Sequence, residues 1–519
     1  MIENLHTLRP EMAILLGACA CLAFGLSSRQ TIRRLCPWAA AAALAACGCL
    51  AWQDATTLRG DATLPDALPN YVKIAVAVVG TLLLMVLVGV PAALPDRDRK
   101  ADPAKTSGGE MIALLLASLC GVMLCAGAGD LVWLFLALEL TSLPTYVMVA
   151  AGRRSVEAQE AAVKYFFLGA LAAATFLYGF ALIYGATGFT QFDQIRATVA
   201  ADPAGPSPMF VMGLLLAILG MCFKIAAFPM HFYAADVYEG AATAVTALLA
   251  FAPKTAGFMA LFAVLGLVNW QLPAPIIWTL AIIAVATMTL GNVLGLLQSN
   301  IKRVLAYSSI AHSGYMLVGL IAGPATTGAG PGSGAAAILF YLVIYGLATL
   351  AAFGVLSCLE RCGEPAQTYD DIAGLARREP VLAATMLVGV LSLLGFPLTA
   401  GFLGKIYLFG AAVSHGYVWL VVIAVLNSAI SAVYYLRIVS ACYFVPPPSD
   451  PAERVGGAAP RTATAIAALA AVALFIGGGP LITAARLSAP MRREVTAVAT
   501  QDERPPPQAL SVGSEPRDR

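Results

Sequence analysis

Long apolar segments recur along the whole of this sequence, and they constrain its fold more than any other feature. In hydrocarbon a backbone must satisfy its own polar groups, which leaves helices or closed barrels, and a spanning helix needs about 20 mainly apolar residues. Fourteen segments reach or approach that length, near 11–27, 37–53, 71–94, 110–127, 130–150, 160–186, 209–238, 242–268, 274–297, 301–322, 335–358, 380–413, 417–443 and 462–484. Only 12% of the 519 residues are charged, against roughly 25% in a soluble domain. One water-soluble core is therefore excluded, and no stretch is left for a globular domain. The expected class is an all-α polytopic membrane protein with about fourteen transmembrane helices.

Arginine and lysine set the orientation. Starting with the N-terminus outside, the inner loops collect Arg29, Arg33, Arg34, Arg97, Arg99, Lys100 and Lys105, and later Arg153, Arg154, Lys302, Arg303, Arg377 and Arg378, while the outer loops hold only Arg9, Arg59, Lys73 and Arg196 before the tail. The first span is expected to be retained, because its positive charges follow the apolar stretch, whereas a cleavable signal carries them before it. The stretch Gly323–Gly334 reads as a flexible linker, and no strand or lysine makes it a nucleotide loop. The tail 490–519 is polar and proline-rich and is expected to be disordered.

The 11 cysteines follow no ligand spacing. They read as small hydrophobes, so no iron–sulfur cluster, zinc site or structural disulfide is expected. No basic stripe with interleaved aromatics suggests nucleic acid, and no nicotinamide or flavin motif occurs.

Two spans are interrupted. Pro229 lies inside 209–238, and Pro397, flanked by Gly395, Gly401 and Gly404, lies inside 380–413. Proline removes a backbone donor, and in hydrocarbon this is tolerated only where neighbouring protein or a water-lined cavity satisfies the freed groups. The breaks are five spans apart. Five is odd, so equivalent helices cross in opposite directions, which predicts two inverted five-helix repeats with one broken helix in each.

Eight lysines occur. Lys73, Lys100, Lys105 and Lys302 fall at loops or helix ends; Lys164, Lys224, Lys254 and Lys405 do not. At 1.5 Å per residue, Lys254 is roughly 18 Å inside its span, Glu139 roughly 13 Å and His312 roughly 16 Å, while Lys224 and Lys405 lie beside the two breaks. A charge at the bilayer centre costs at least about 2.5–3.5 kcal/mol. Two explanations bear that cost: a set of buried ion pairs fixing helix register, or an ion path. Lysine favours protons, because a desolvated lysine can release its proton whereas arginine stays charged. A carboxylate at Glu139 would hold the proton on a neighbouring lysine, and moving it would release the proton. Lys164, near the inner end of its helix, is equally able to snorkel to the interface. His231 lies just past Pro229, and His312 can relay a proton or be a satisfied core histidine. His6 and His415 receive no role.

Four motifs then carry a resemblance. Asp236-Val-Tyr-Glu-Gly-Ala241, Ala252-Pro-Lys-Thr-Ala-Gly-Phe258, Gln298-Ser-Asn-Ile-Lys-Arg-Val-Leu-Ala-Tyr-Ser-Ser309 and Pro397-Leu-Thr-Ala-Gly-Phe402 are similar to the subunit N family of the proton-pumping NADH–quinone oxidoreductase, respiratory complex I. The likeness runs from about the fourth span to the thirteenth. It departs where the family usually has Leu-Trp-Thr-Pro and this chain has Phe232-Tyr-Ala-Ala235, and where prolines usual near Ala242 and Ala244 are absent.

The resemblance implies a division into an N-terminal three-helix segment (1–108), a first antiporter-like repeat (109–270), a second (271–445), a C-terminal helix (446–489) and the polar tail. It implies a proton path through Glu139, Lys164, Lys224, His231, Lys254 and Lys405, to which depth adds His312. It implies a non-redox subunit moving protons from cytoplasm to periplasm in a bacterial inner membrane, with the N-terminus periplasmic. No cofactor would sit in this chain; NADH, FMN, iron–sulfur clusters and quinone would belong to partner subunits of the membrane-arm assembly. Two rivals remain: a subunit of an Mrp-type cation/proton antiporter, and a structural spacer whose buried charges serve assembly.

Overall fold

Helices bond their own backbones, and helices make up most of the described residues. The computed structural model describes residues 7–57, 67–89, 108–153, 155–325, 332–361 and 364–490. The tail past Pro490, Lys100, Lys105 and the middle of the Gly323–Gly334 stretch lie outside the described residues.

Three helices open the chain: α1 (Arg9–Gly25), α2 (Cys36–Thr57) and α3 (Ala67–Gly89). A first unit follows, made of α4 (Gly109–Ala126), α5 (Leu131–Ala151), α6 (Val156–Thr187), the broken pair α7 (Pro208–Lys224) and α8 (Tyr233–Gly240), and α9 (Thr243–Gly266). The second unit repeats that order in α10 (Ala274–Leu296), α11 (Ile301–Ala322), α12 (Gly334–Ser357), the broken pair α13 (Pro380–Leu394) and α14 (Ala400–Ser414), and α15 (Val418–Tyr443); α16 (Ala458–Gly477) closes the bundle. Eleven helices among the described residues are long and apolar enough to cross a bilayer. With the 17-residue α1 and the two broken pairs, they make the fourteen crossings expected from the sequence. The last apolar segment, read as 462–484, divides at Gly477 and Gly478 into α16 and a short helix, Gly479–Ser488, where consecutive glycines end one helix and Pro480 starts the next.

Matching hydrogen bonds mark the two units. Asp130 caps α5 by accepting from Trp133 N and forms a bridge with Gln191, just past α6. Asn300 caps α11 by accepting from Lys302 N and Arg303 N and forms a bridge with Thr368, in the connection that follows α12. In each unit the start of the second helix is thus tied to the loop after the third. A small sheet, which the sequence did not suggest, joins β1 (Leu359–Arg361) to β2 (Glu364–Pro365) and β3 (Glu453–Arg454) at the loop end of α12.

Both breaks are stabilised by protein groups rather than left open. At the first, α7 stops at Lys224 and Ala226 takes a left-handed conformation. The freed carbonyls of Phe223 and Ile225 accept from the hydroxyls of Tyr233 (2.8 Å) and Ser313, and Phe228 N donates to Thr287 Oγ1 at 2.9 Å. The second half-helix forms despite the missing prolines. At the second break, Gly395 ends α13 in the left-handed region. A Cβ on Gly401 would stand 1.8 Å from the Ser392 carbonyl oxygen, so the close approach of α14 to α13 requires glycine there.

The helices α9, α11 and α12 are almost wholly buried. An apolar surface on all sides suits a helix with protein on all sides, and these three carry Lys254, His312, Tyr315, Tyr341 and Tyr345 into the centre.

One sequence expectation is corrected. Lys73 does not lie at a loop: it is in the second turn of α3, buried, and pairs at 2.9 Å with the buried Glu11 of α1. Its Nζ also donates to Thr7 O at 2.9 Å. Lys302 does stand at a helix end, yet it is fully buried, donating to the carbonyls of Glu239 and Ala241 at 2.9 and 2.6 Å. Removing one member of a buried pair costs about 3–5 kcal/mol, whereas an apolar replacement of both is often neutral. Lys73→Ala is therefore expected to lower the thermal midpoint of the detergent-solubilised protein, and Glu11→Leu/Lys73→Met to restore it. A double variant as unstable as the single one contradicts this account.

Candidate functional site: a line of buried lysines across both units

Lys224 is the last residue of α7, at the edge of the helix break. The Nζ lies 3.0 Å from Glu139 Oε1 and donates to Ser142 Oγ at 2.5 Å and to Leu138 O at 3.5 Å. Glu139 and Ser142 are three residues apart on α5 and share a face. The two members are not equally enclosed: the Lys224 side chain is 1% exposed and that of Glu139 is 18% exposed. The carboxylate is thus the member that reaches the surface of the chain.

Lys254, halfway along α9, has no carboxylate hydrogen-bond partner among the described residues. Its Nζ donates to Ser309 O at 2.5 Å, Ser309 Oγ at 2.8 Å and Tyr345 OH at 3.3 Å, and lies 4.5 Å from the Tyr345 ring centroid. Tyr345 in turn donates to Ser309 Oγ at 2.8 Å. Neutral acceptors and a ring face are weak substitutes for a counter-ion. Ser313 links this group to the first break: its hydroxyl meets both Ile225 O and, at 3.3 Å, Ser309 O.

His312 lies one turn past Ser309 on α11. Its Nδ1 is 2.6 Å from Tyr341 OH and its Nε2 3.1 Å from Tyr435 OH. The ring stands 5.2 Å from that of Tyr345 and 5.7 Å from that of Tyr315. Lys405 completes the line. Its Nζ sits 4.9 Å from the Tyr315 ring centroid and donates to Ser428 Oγ at 2.8 Å and to the last carbonyl of α13, Leu394 O, at 2.7 Å. A cation there meets the negative end of the half-helix. Lys254, Tyr345, His312, Tyr315 and Lys405 are thus contiguous, each in contact with the next.

Lys164 and His231 stand apart. Lys164 is 41% exposed and pairs with Glu160 at 2.7 Å and Asp236 at 2.8 Å. Asp236 and Glu239 also bind Arg303, at 2.9 and 2.6 Å, so Lys164 belongs to a loop-end cluster of charges. His231 is buried between Phe228 and Phe232, and its Nδ1 has no hydrogen-bond partner among the described residues. Sequence reasoning missed Ser142, Ser309, Ser428, Tyr341, Tyr345 and Tyr435, which hold the three central cations and the imidazole. It missed the pairing of Lys164 with Asp236 too, although the motif Asp236–Ala241 was in view.

Fourteen crossings, two matched helix breaks and a lysine at each break define the class of antiporter-like membrane subunits. The comparisons agree. The family described as NADH:quinone oxidoreductase/Mrp antiporter, TM, matches residues 128–431. NADH-quinone oxidoreductase subunit N of Trichlorobacter lovleyi is 39% identical over 85% of this chain and 88% of its own length, and subunit N 1 of Rhizobium meliloti is 36% identical over 94% and 98%. Among solved structures, respiratory complex I from Thermus thermophilus with bound aureothin contains a chain 32% identical, with a TM-score of 0.71, covering 90% of this chain and 99% of that one. The Mrp complex from Dietzia sp. has a TM-score of 0.79 at 21% identity, over 94% and 97%, and shares the fold. The chain belongs to the subunit N family of NADH–quinone oxidoreductase.

Proposed function

We propose that this chain translocates protons in the membrane arm of an NADH–quinone oxidoreductase, without redox chemistry of its own. The observation that supports this most is the Lys224–Glu139 pair, joined at 3.0 Å beside a helix break, in a chain whose relatives are subunits N. The N-terminus would face the periplasm of a bacterial inner membrane, and NADH, flavin, iron–sulfur clusters and quinone would be bound by partner subunits.

In this reading a proton arriving from the cytoplasm is held on Lys224 by Glu139. Because the Glu139 side chain reaches the chain surface, a change of charge in a neighbouring subunit can draw the carboxylate away. Lys224 then loses its counter-ion in a low-dielectric site, where the charge is costly, and gives up its proton. The proton passes to Lys254, then by His312 to Lys405, and out to the periplasm. Each charge moved against the membrane potential needs about 2.3 kcal/mol per 100 mV, which electron transfer in the partners supplies. Lys164 and the charges around Asp236 would guide entry, and His231 would lie beside the first break.

An affinity tag on this chain should co-purify an assembly that oxidises NADH and reduces quinone. Recovery of a cation/proton antiporter assembly with no NADH oxidation would overturn the reading.

A further inference from the structure

Every group that touches Lys405 or His312 from α15 is neutral, and together they occupy one helix face. Ser428 accepts from Lys405 at 2.8 Å and Tyr435, seven residues on, meets His312 at 3.1 Å. Positions seven apart share a helix face, so one rigid element sets both contacts at once. A slide of α15 by even half a turn would move Ser428 and Tyr435 together.

What fixes α15 is a pair of carboxamides. Asn292 of α10 and Asn427 of α15 are both buried. Asn292 Nδ2 donates to Met288 O at 2.8 Å and Tyr315 OH at 3.0 Å, and lies 3.4 Å from Asn427 Oδ1. Its Oδ1 accepts from Tyr434 OH at 2.9 Å. Asn427 Nδ2 donates to Ile423 O at 3.0 Å and back to Thr289 Oγ1 of α10 at 3.3 Å. Asn292 therefore bonds α11 through Tyr315 and α15 through both Asn427 and Tyr434. Tyr315 is the ring that faces the Lys405 ammonium. In a low-dielectric interior such a network is strong when complete and costly when one member is lost. A carboxamide neither takes up nor releases a proton in the working pH range, so this pair of asparagines holds positions and does not conduct.

We propose that Asn292 and Asn427 are positioning residues for the second half of the proton path: they latch α15 and Tyr315 in register with Lys405 and His312. The proposal rests on the reading of Lys405 as a proton carrier. The titratable groups facing Lys405 and His312 are Tyr315 from α11, Tyr341 and Tyr345 from α12, and Tyr434 and Tyr435 from α15, with Lys254 beyond Tyr345. The two lysines and the histidine are the proton-carrying cations in this set, so a change in how they are held shows in the pH profile.

The test uses the assembled complex carrying Asn292→Leu, Asn427→Leu, Tyr315→Phe or Lys405→Met. Tyr315→Phe is the decisive latch variant, since it removes one oxygen and keeps the ring that packs against Lys405. Quinone reductase turnover is measured across a pH series, with protons pumped per NADH, both per assembled complex. The expected result is a displaced pH profile and a roughly threefold to tenfold loss of turnover in the latch variants, the scale of one lost hydrogen bond. Asn292→Leu/Tyr315→Phe should be no worse than the more affected single variant, because both changes remove the same bond. If Lys405→Met is impaired while Tyr315→Phe and every assembling latch variant keep the wild-type profile and pumping ratio, the latch is refuted and the path stands. If Lys405→Met pumps as wild type, the assignment of Lys405 falls, and the latch with it.

Discussion

Lys224→Ala is expected to reduce NADH:quinone reductase turnover roughly tenfold or more, equivalent to about 1.4 kcal/mol added to the barrier for each tenfold. Pumping should fall with it. The variant removes the proton carrier at the first break and also leaves the Glu139 carboxylate facing Ser142 without its cation. Breaking a pair of this kind costs about 3–5 kcal/mol of stability, so a second variant separates the two effects. Glu139→Ala/Lys224→Ala leaves no orphaned charge and should recover assembly toward wild type. Turnover should stay low, because no carrier has been restored. Amount of assembled complex, reductase rate and proton uptake by inverted vesicles distinguish the outcomes. Full turnover in the assembled double variant would exclude Lys224 and Glu139 from the path and favour a register-setting pair.

Lys254 allows a sharper experiment, since its hydrogen bonds run to a carbonyl, a serine and a tyrosine rather than to an acid. Lys254→Arg keeps a cation in the same cage and keeps donors for Ser309 and Tyr345, but a guanidinium does not give up its proton. If Lys254 serves only to bond Ser309 and Tyr345, arginine should retain most of the activity and Lys254→Met should lose it. If Lys254 must be neutral in one half of the cycle, arginine should be as inactive as methionine, with pumping down roughly tenfold or more. The second outcome is the expected one. Reductase turnover and proton pumping per assembled complex decide it, and near-normal pumping by Lys254→Arg would remove Lys254 from the chain of carriers.

The central cations were legible in the sequence because charge in hydrocarbon is expensive. Lys224, Lys254 and Lys405 stand out against apolar surroundings, and two of them flank the breaks at Pro229 and Pro397. Glu139 was legible from its depth, and the fourteen crossings and the place of both breaks followed from segment length and proline. Lys73 was misread because its span begins several residues earlier than the apolar run suggests, and its partner Glu11 is 62 positions away in the chain, at 2.9 Å in space. Lys164, read from the sequence as near the inner end of its helix, belongs to the loop-end charges around Asp236.

Sequence alone determined the class, the number of crossings, the breaks and the costly charges, because each of these is imposed by the bilayer on single segments or single side chains. Tertiary structure decided which groups receive those charges. Ser142, Ser309, Ser428, the tyrosines of α12 and α15 and the Asn292–Asn427 pair are neutral, and a hydroxyl or carboxamide in a span costs far less than a cation and occurs for many reasons. Nothing in their local sequence marks them. They become a site only where helices distant in the chain bring them within hydrogen-bond reach of a lysine or a histidine.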